Sequence, residues 1–217
     1  PYKQFNDRSR FDTMVIGSGI GGLGAAALLA KAGGQRVLVL ERHFTAGGFT
    51  HAFRRPGFEW DVGLHYVGQV HERGSQGRAL FDYLAEGRLE WQSMPDVYDR
   101  VLIGDLRFDY VRGESRLRDS LKAAFPSEGR AVDRYFAAIR RCLRRMPLFF
   151  VEKVLPPIPA RLLGGALRAP FLSLAGRTTA SVLDDIGMSP QLRAILTGQW
   201  GDYGLPPKQS SFGIHAL

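Results

Sequence analysis

Three glycines and one carboxylate carry the most pointed chemistry in this chain. Gly17, Gly19 and Gly22 form G-x-G-x-x-G, and Glu41 follows near the spacing of about twenty residues that a dinucleotide fingerprint calls for. Each glycine meets a different need. Gly17 permits a sharp turn, Gly19 lets the backbone approach a pyrophosphate, and Gly22 lets a helix lie close to a strand. The carboxylate of Glu41 is suited to accept hydrogen bonds from an adenosine ribose, which favours FAD or NAD over NADP. Ser18 lies inside the turn, placed to contact phosphate or backbone.

The elements that must position these residues are legible on either side. Phe11 to Ile16 is a short apolar run, Val37 to Leu40 is another, and an Ala- and Leu-rich segment of helical length separates them. That order predicts a parallel βαβ unit with a right-handed crossover. The helix starts at the glycine turn, so its unpaired N–H groups and partial positive charge face the phosphates. The fold class is therefore α/β, a Rossmann-like unit followed by a mixed α+β region.

Composition narrows the rest. The single cysteine, Cys142, forms no intramolecular disulfide, which suits a reducing compartment, and a cytoplasmic location is expected. Five histidines without H-x-x-x-H spacing, and no C-x-x-C, argue against a metal site. No signal peptide is visible, and no apolar run is long enough to span a bilayer. The net charge of +8 is concentrated: residues 128–168 carry 9 basic and 3 acidic side chains.

Further along, Arg78 to Ala85 reads as a short helix. Three strands are expected at Leu89–Met94, Val101–Ile103 and Leu106–Val111, with Gly104-Asp105 as a hairpin turn of type II′. Ser115–Phe125 reads as a helix. A long helix over Glu128–Met146 follows, N-capped by Ser127 and stopped by Pro147. It carries an apolar stripe opposite Arg130, Arg134, Arg141 and Arg145, with Arg140 and Arg144 flanking. Leu148–Ala175 looks too broken by Pro and Gly to be one helix. Two more helices are expected, Thr179–Ile186 and Pro190–Gln199, the second capped by Ser189.

The stretch ERHFTAGGFTHAFRRPGFEWDVGLHYVG, with the strand-end Glu41, the pair Gly47-Gly48 and Trp60-Asp61-Val62-Gly63, resembles the FAD-binding head of the phytoene desaturase, carotenoid isomerase and retinol saturase family. FPSEGRAVDRYF and GQWGDYGLPPKQSSFGIHAL resemble the same family farther on. Most relatives of the desaturase and amine oxidase type place Arg after the glycine pair. This chain has Phe49 there, as retinol saturases lack that Arg, and the departure points to the saturase branch.

The resemblance implies FAD as cofactor, bound by Gly17, Ser18, Gly19, Gly22, Glu41, Arg42, Gly47, Gly48 and Asp61. It implies a polyene or isoprenoid lipid as substrate, with reduction, desaturation or isomerisation of C=C bonds as the chemistry. Residues 1–75 then belong to the cofactor domain and 76–217 to part of a substrate domain, the chain being the N-terminal part of a longer protein. His51, His65 and Tyr66 are the titratable residues nearest the cofactor motif. They are read first as packing around the cofactor and second as proton donors. A non-enzymatic prenyl-binding protein of the GDP-dissociation-inhibitor type and a flavin amine oxidase are the rival readings. The arginine face within 128–175 suits a solvated surface or an anionic membrane. It does not suit nucleic acid, because the aromatic residues lie on the other side of the helix.

Overall fold

A computed structural model describes residues 10–64, 66–68 and 70–217, in two compact units that divide between Ser93 and Met94. In the first unit β1 (Thr13–Ile16), α1 (Ile20–Lys31) and β2 (Val37–Leu40) follow in that order. The two strands are parallel, in register from Thr13 opposite Val37 to Ile16 opposite Leu40. Asp12 accepts from the Arg36 N–H at 2.8 Å and aligns the start of the pair. Among the described residues the sheet has two strands, and β1 leaves Met14 57% and Ile16 85% exposed.

The first unit continues with β3 (Ala52–Arg55) and β4 (Phe58–Asp61), an antiparallel hairpin that the sequence reading did not assign. Its signal was present in Pro56-Gly57. Proline presets the first central turn position, and Gly57 takes φ +79°, the value a type II turn needs at the second. Phe53 stacks on Trp60 across the pair, and Phe58 stacks on Trp60 along β4. The helix α2 (Gln76–Ala85) is capped by Ser75, whose hydroxyl accepts from the Arg78 N–H at 3.1 Å. It lies in the first of the two compact units. Lys31, at the negative end of α1, donates to the Tyr83 carbonyl and pairs with Glu86 at 3.1 Å.

The second unit opens with the hairpin of β5 (Val97–Ile103) and β6 (Leu106–Val111). Gly104 takes φ +57° while Asp105 does not have positive φ, which agrees with the expected type II′ turn. Seven helices follow: α3 (Glu114–Ala124), α4 (Gly129–Val154), α5 (Pro157–Ala175), α6 (Thr179–Ile186), α7 (Pro190–Leu196), α8 (Trp200–Tyr203) and α9 (Phe212–Ala216). Leu121, Val132, Cys142, Leu192, Ile195 and Phe212 are fully enclosed at its core.

Three expectations need correction. Leu89–Met94 does not form a strand. Trp91 instead rests edge-on against Phe81. Ser127 lies within a 3₁₀ turn (Pro126–Glu128) and caps nothing, while the Glu128 carboxylate accepts from the Ser189 N–H at 2.8 Å. Pro147 does not end the long helix. It removes one backbone hydrogen bond, but the turns beyond it pack along α5, with Phe149 on Phe171 and Glu152 against Gly164. Residues 148–175 are, as expected, not one helix: α4 runs on to Val154, the chain breaks at Leu155 and Pro156, and α5 begins at Pro157.

Burial separates the leucines of this unit by energy. Leu192→Ala is expected to lower stability by about 2–5 kcal/mol, because its side chain is fully enclosed. Leu162→Ala, at a position 77% exposed, is expected to stay within about 0.5 kcal/mol. Urea unfolding of both variants measures the contrast.

Candidate dinucleotide site

The glycine turn is built as its three positions require. Gly17 takes φ +97°, and its N–H extends the strand pairing to the Leu40 carbonyl at 2.7 Å. A Cβ on Gly22 would lie 2.2 Å from the Gly17 carbonyl oxygen and 3.4 Å from Val15, so only glycine lets α1 approach β1 here. A Cβ on Gly19 would meet nothing within 4 Å, so this side of the turn is clear. A cofactor backbone can therefore lie directly over this part of the turn.

Glu41 ties the turn to the end of β2. Its Oε2 accepts from the Ser18 N–H at 2.8 Å and from the Ser18 hydroxyl at 2.6 Å, and its Oε1 accepts from the His43 N–H at 2.7 Å. The Ser18 hydroxyl bond is the leading reason that the Glu41 carboxyl is held down to about 2, with the His43 and Ser18 N–H groups adding to it. Ser18 is 2% exposed, so its hydroxyl is spent on Glu41 and the turn, not directed outward to a phosphate. Ser18 and His43 fill three of the roughly four acceptor positions of the carboxylate, and the Arg42 N–H adds to the same hold.

The second glycine pair is seated on the first. Gly47 N–H donates to the Ser18 carbonyl at 3.0 Å, and Gly19 and Gly47 form an isolated parallel bridge. Gly48 sits at φ +57°, and a Cβ there would come within 2.9 Å of Gly19 Cα. The two motifs, far apart in sequence, thus form one surface. Val62 N–H to the His51 carbonyl at 3.1 Å and Leu64 N–H to the Phe49 carbonyl at 3.0 Å bring the segment after β4 beside it. Gly63 is needed there because a Cβ would meet Phe49 at 2.9 Å.

The remaining predicted residues are less converged. Arg42 and Asp61 are exposed, and Asp61 ends β4 opposite Ala52. His51 turns its Nδ1 to the Gly48 carbonyl and faces His43 at a ring distance of 5.1 Å. Tyr66 is half-buried. His65 lies outside the described residues. A cavity of about 640 Å³ runs along α1 and α2, lined by Leu23, Leu28, Leu80, Phe81, Leu84 and other apolar residues. It holds no titratable side chain and excludes Gly17, Gly19 and Glu41, so it is an apolar cleft and not the dinucleotide site.

Two outcomes follow from this geometry. Because Glu41 ionises below its ordinary 4.5, its stabilising contribution is complete above that value and is lost as pH falls through about 2. Acid unfolding followed by circular dichroism is expected to lose part of its pH dependence between 4.5 and 2 in Glu41→Gln. Gly22→Ala is expected to displace the Gly17 carbonyl and reduce dinucleotide affinity at least about tenfold, about 1.4 kcal/mol, as measured by calorimetry.

Comparison with known proteins agrees with this site. Residues 15–86 match the NAD(P)-binding Rossmann-like domain family. The human all-trans-retinol 13,14-reductase is 39% identical over 96% of this chain, which covers 35% of that protein. A zebrafish protein named inactive all-trans-retinol 13,14-reductase is 34% identical over 95%, again covering 35% of its length. The carrot prolycopene isomerase is 33% identical over 59% of the chain and 21% of its own. The chain therefore spans about a third of the length of the reductases it matches. The glycine turn is that of a Rossmann-like dinucleotide-binding unit, and the resemblance read from a few separated stretches extends along nearly the whole chain for the retinol reductases and along part of it for the prolycopene isomerases.

Proposed function

We propose that this chain forms the cofactor-holding part, and some of the substrate-binding part, of an FAD-dependent oxidoreductase acting on C=C bonds of a polyene or isoprenoid lipid. The observation that supports it best is the seating of Gly47-Gly48 on Gly19, with Glu41 holding the turn from below. A Cβ on Gly19 would meet nothing within 4 Å, and the turn presents the α1 N-terminus, so the residues present fit a dinucleotide. Bound FAD would supply hydride transfer. Gly17 to Gly22 would hold its pyrophosphate through backbone N–H groups, and Glu41 would take a ribose hydroxyl. Gly47 and Gly48, with Arg42 and Asp61 nearby in the chain, would border the riboflavin side. Similarity to retinol reductases and a prolycopene isomerase supports the substrate class. The second unit then contributes to the substrate domain.

The second unit also supports contact with a membrane surface. Phe150, Val154, Ile158, Leu162 and Leu163 on α4 and α5 are more than half exposed, Val154 reaching 81%. Arg130, Arg134, Arg141 and Arg144 are exposed on α4. The arginine face is narrower than the sequence implied. Arg145 is taken by the Pro170 carbonyl and Ser173, and Arg140 pairs with Glu114. Among the described residues no helix is long and apolar enough to cross a membrane. A peripheral contact needs none: each basic residue near an anionic bilayer contributes about 1 kcal/mol, while the apolar residues enter the interface.

Full-length protein is expected to purify with flavin absorbance near 450 nm (roughly, the chromophore of the cofactor). Glu41→Ala is expected to lower flavin retention more than about tenfold, since charge-assisted hydrogen bonds worth roughly 1.5–3 kcal/mol are lost. A colourless parent protein, or a variant that retains flavin equally, would count against FAD. Replacing Arg134, Arg141 and Arg144 by Gln is expected to weaken sedimentation with anionic vesicles and leave binding to neutral vesicles little changed. A parent protein that ignores anionic vesicles at low salt would leave those arginines as a solvated face.

A further inference from the structure

Within the second unit, the end of the α4–α5 hairpin carries one buried carboxylate among apolar side chains. Glu152, in the last turn of α4, is 9% exposed and lies against Gly164 of α5. A Cβ on Gly164 would come within 3.0 Å of Glu152 Oε1, so the glycine makes room for the acid. Two cations close on it, one from each helix. Lys153 Nζ is 2.8 Å from Oε2, and Arg168 Nη1 donates to Oε1 at 3.3 Å. A buried carboxylate needs such partners, because an unpaired one carries a large desolvation cost.

Balancing Glu152 requires one base, and the hairpin supplies two. The group therefore keeps a net positive charge, and each base stays about half exposed, Lys153 at 53% and Arg168 at 47%. Both are held in place before any partner arrives. Lys153 also lies over the Phe149 ring, 4.9 Å from its centroid. Side chains ordered in advance lose less freedom on binding. Residues 148–175 contain no acid other than Glu152, and Arg161, two turns before Arg168, adds a further exposed base.

Beside these cations stand some of the most exposed apolar residues described: Val154 at 81%, Ile158 at 73% and Leu162 at 77%. Val154 follows Lys153 directly, and Ile158 and Leu162, four apart, share one side of α5. The surface thus has two chemistries at one place. A soluble anion would satisfy the cations and leave the apolar residues wet. A neutral lipid would cover the apolar residues and leave the cations without an anion. An acidic phospholipid answers both, with a phosphate for the bases and acyl chains for the apolar residues.

We propose that Lys153 and Arg168 form a site for the phosphate of an acidic phospholipid, with Val154, Ile158 and Leu162 entering the acyl region beside it. The site rests on the membrane contact proposed above for this unit. To the diffuse attraction of the α4 arginines it adds one place where a headgroup is held. Lys153 brings a compact charge, and Arg168 brings the N–H groups of its guanidinium beyond the one given to Glu152. Glu152 keeps the two bases together and lowers their combined charge, so the hairpin end stays folded when no lipid is present.

The test uses full-length protein with phosphatidylcholine vesicles, phosphatidylcholine–phosphatidylserine vesicles, and inorganic phosphate in solution. The parent is expected to sediment with the mixed vesicles, and inorganic phosphate at matched ionic strength is expected not to displace it. Replacing Glu152, Lys153 and Arg168 together by Gln removes one net charge and leaves no buried charge unpaired. That variant is expected to bind the mixed vesicles at least about fivefold more weakly. Arg107→Gln, which removes the same net charge from β6, is expected to change binding less than about twofold. Phosphatidylserine with a photoreactive acyl chain is expected to label residues 148–163 of the parent, a readout that needs no variant. Label confined to other peptides, a triple variant that binds like the parent, or displacement by inorganic phosphate would overturn the site. A parent that binds no mixed vesicles at low salt would instead remove the membrane contact on which the site rests.

Discussion

The hydrogen bonds between Glu41 and Ser18 are the constraint on which the first unit depends. A strand-to-helix turn that must bare its N–H groups to a ligand cannot satisfy them internally, and it would collapse without an external brace. Glu41 supplies that brace from the end of β2, accepting the Ser18 N–H and hydroxyl together. Ser18 in turn offers its carbonyl to Gly47, and Gly48 closes on Gly19. One carboxylate therefore fixes the shape of the turn and the seat of the second glycine pair. Preorganisation of this kind lowers the ordering cost that binding would otherwise carry. Glu41 has a structural task as well as the ligand contact expected of it.

Much of this unit was legible because its determinants are local. Gly17, Gly19 and Gly22 announce the turn by spacing, and the apolar runs around them announce parallel strands. What escaped notice depends on partners distant in sequence. Ser18 reads as a contact to phosphate or backbone, and nothing in the spacing foretells its hydrogen bond to Glu41. The β3–β4 hairpin hid behind charged and aromatic residues without clean alternation, although Pro56-Gly57 marked its turn. Pro147 was taken for a helix terminator because the sequence alone does not show α5 lying alongside to hold the next turns. The Tyr135–His215 contact spans eighty residues of chain, and nothing in the spacing of either residue foretells it.

The second unit combines an apolar core with polar groups spent sparingly inside it. Thr179, Ser210, Tyr135 and His215 are uncharged near neutral pH and partnered, so their burial carries little electrostatic penalty. Cys142 is enclosed, and burial raises its thiol against the weak opposing effect of Arg145, which keeps it unreactive. Most charge is kept to the surface, where Asp133 holds Arg118 and Lys122 at the junction of α3 and α4, while the buried Glu152 is paired with Lys153 and Arg168.

The exposed face of β1 has a consequence for how the chain behaves at high concentration. Parallel strands form only after a crossover helix has been made, so β1 and β2 meet late compared with any local hairpin. Once paired, β1 still shows Ile16 and Met14 to solvent, and among the described residues no strand occupies its outer side. An open apolar strand border is a template for whatever extended segment arrives first. For this chain in isolation, dilution or a holdase that masks strand borders should decide between a dispersed protein and a self-associated one.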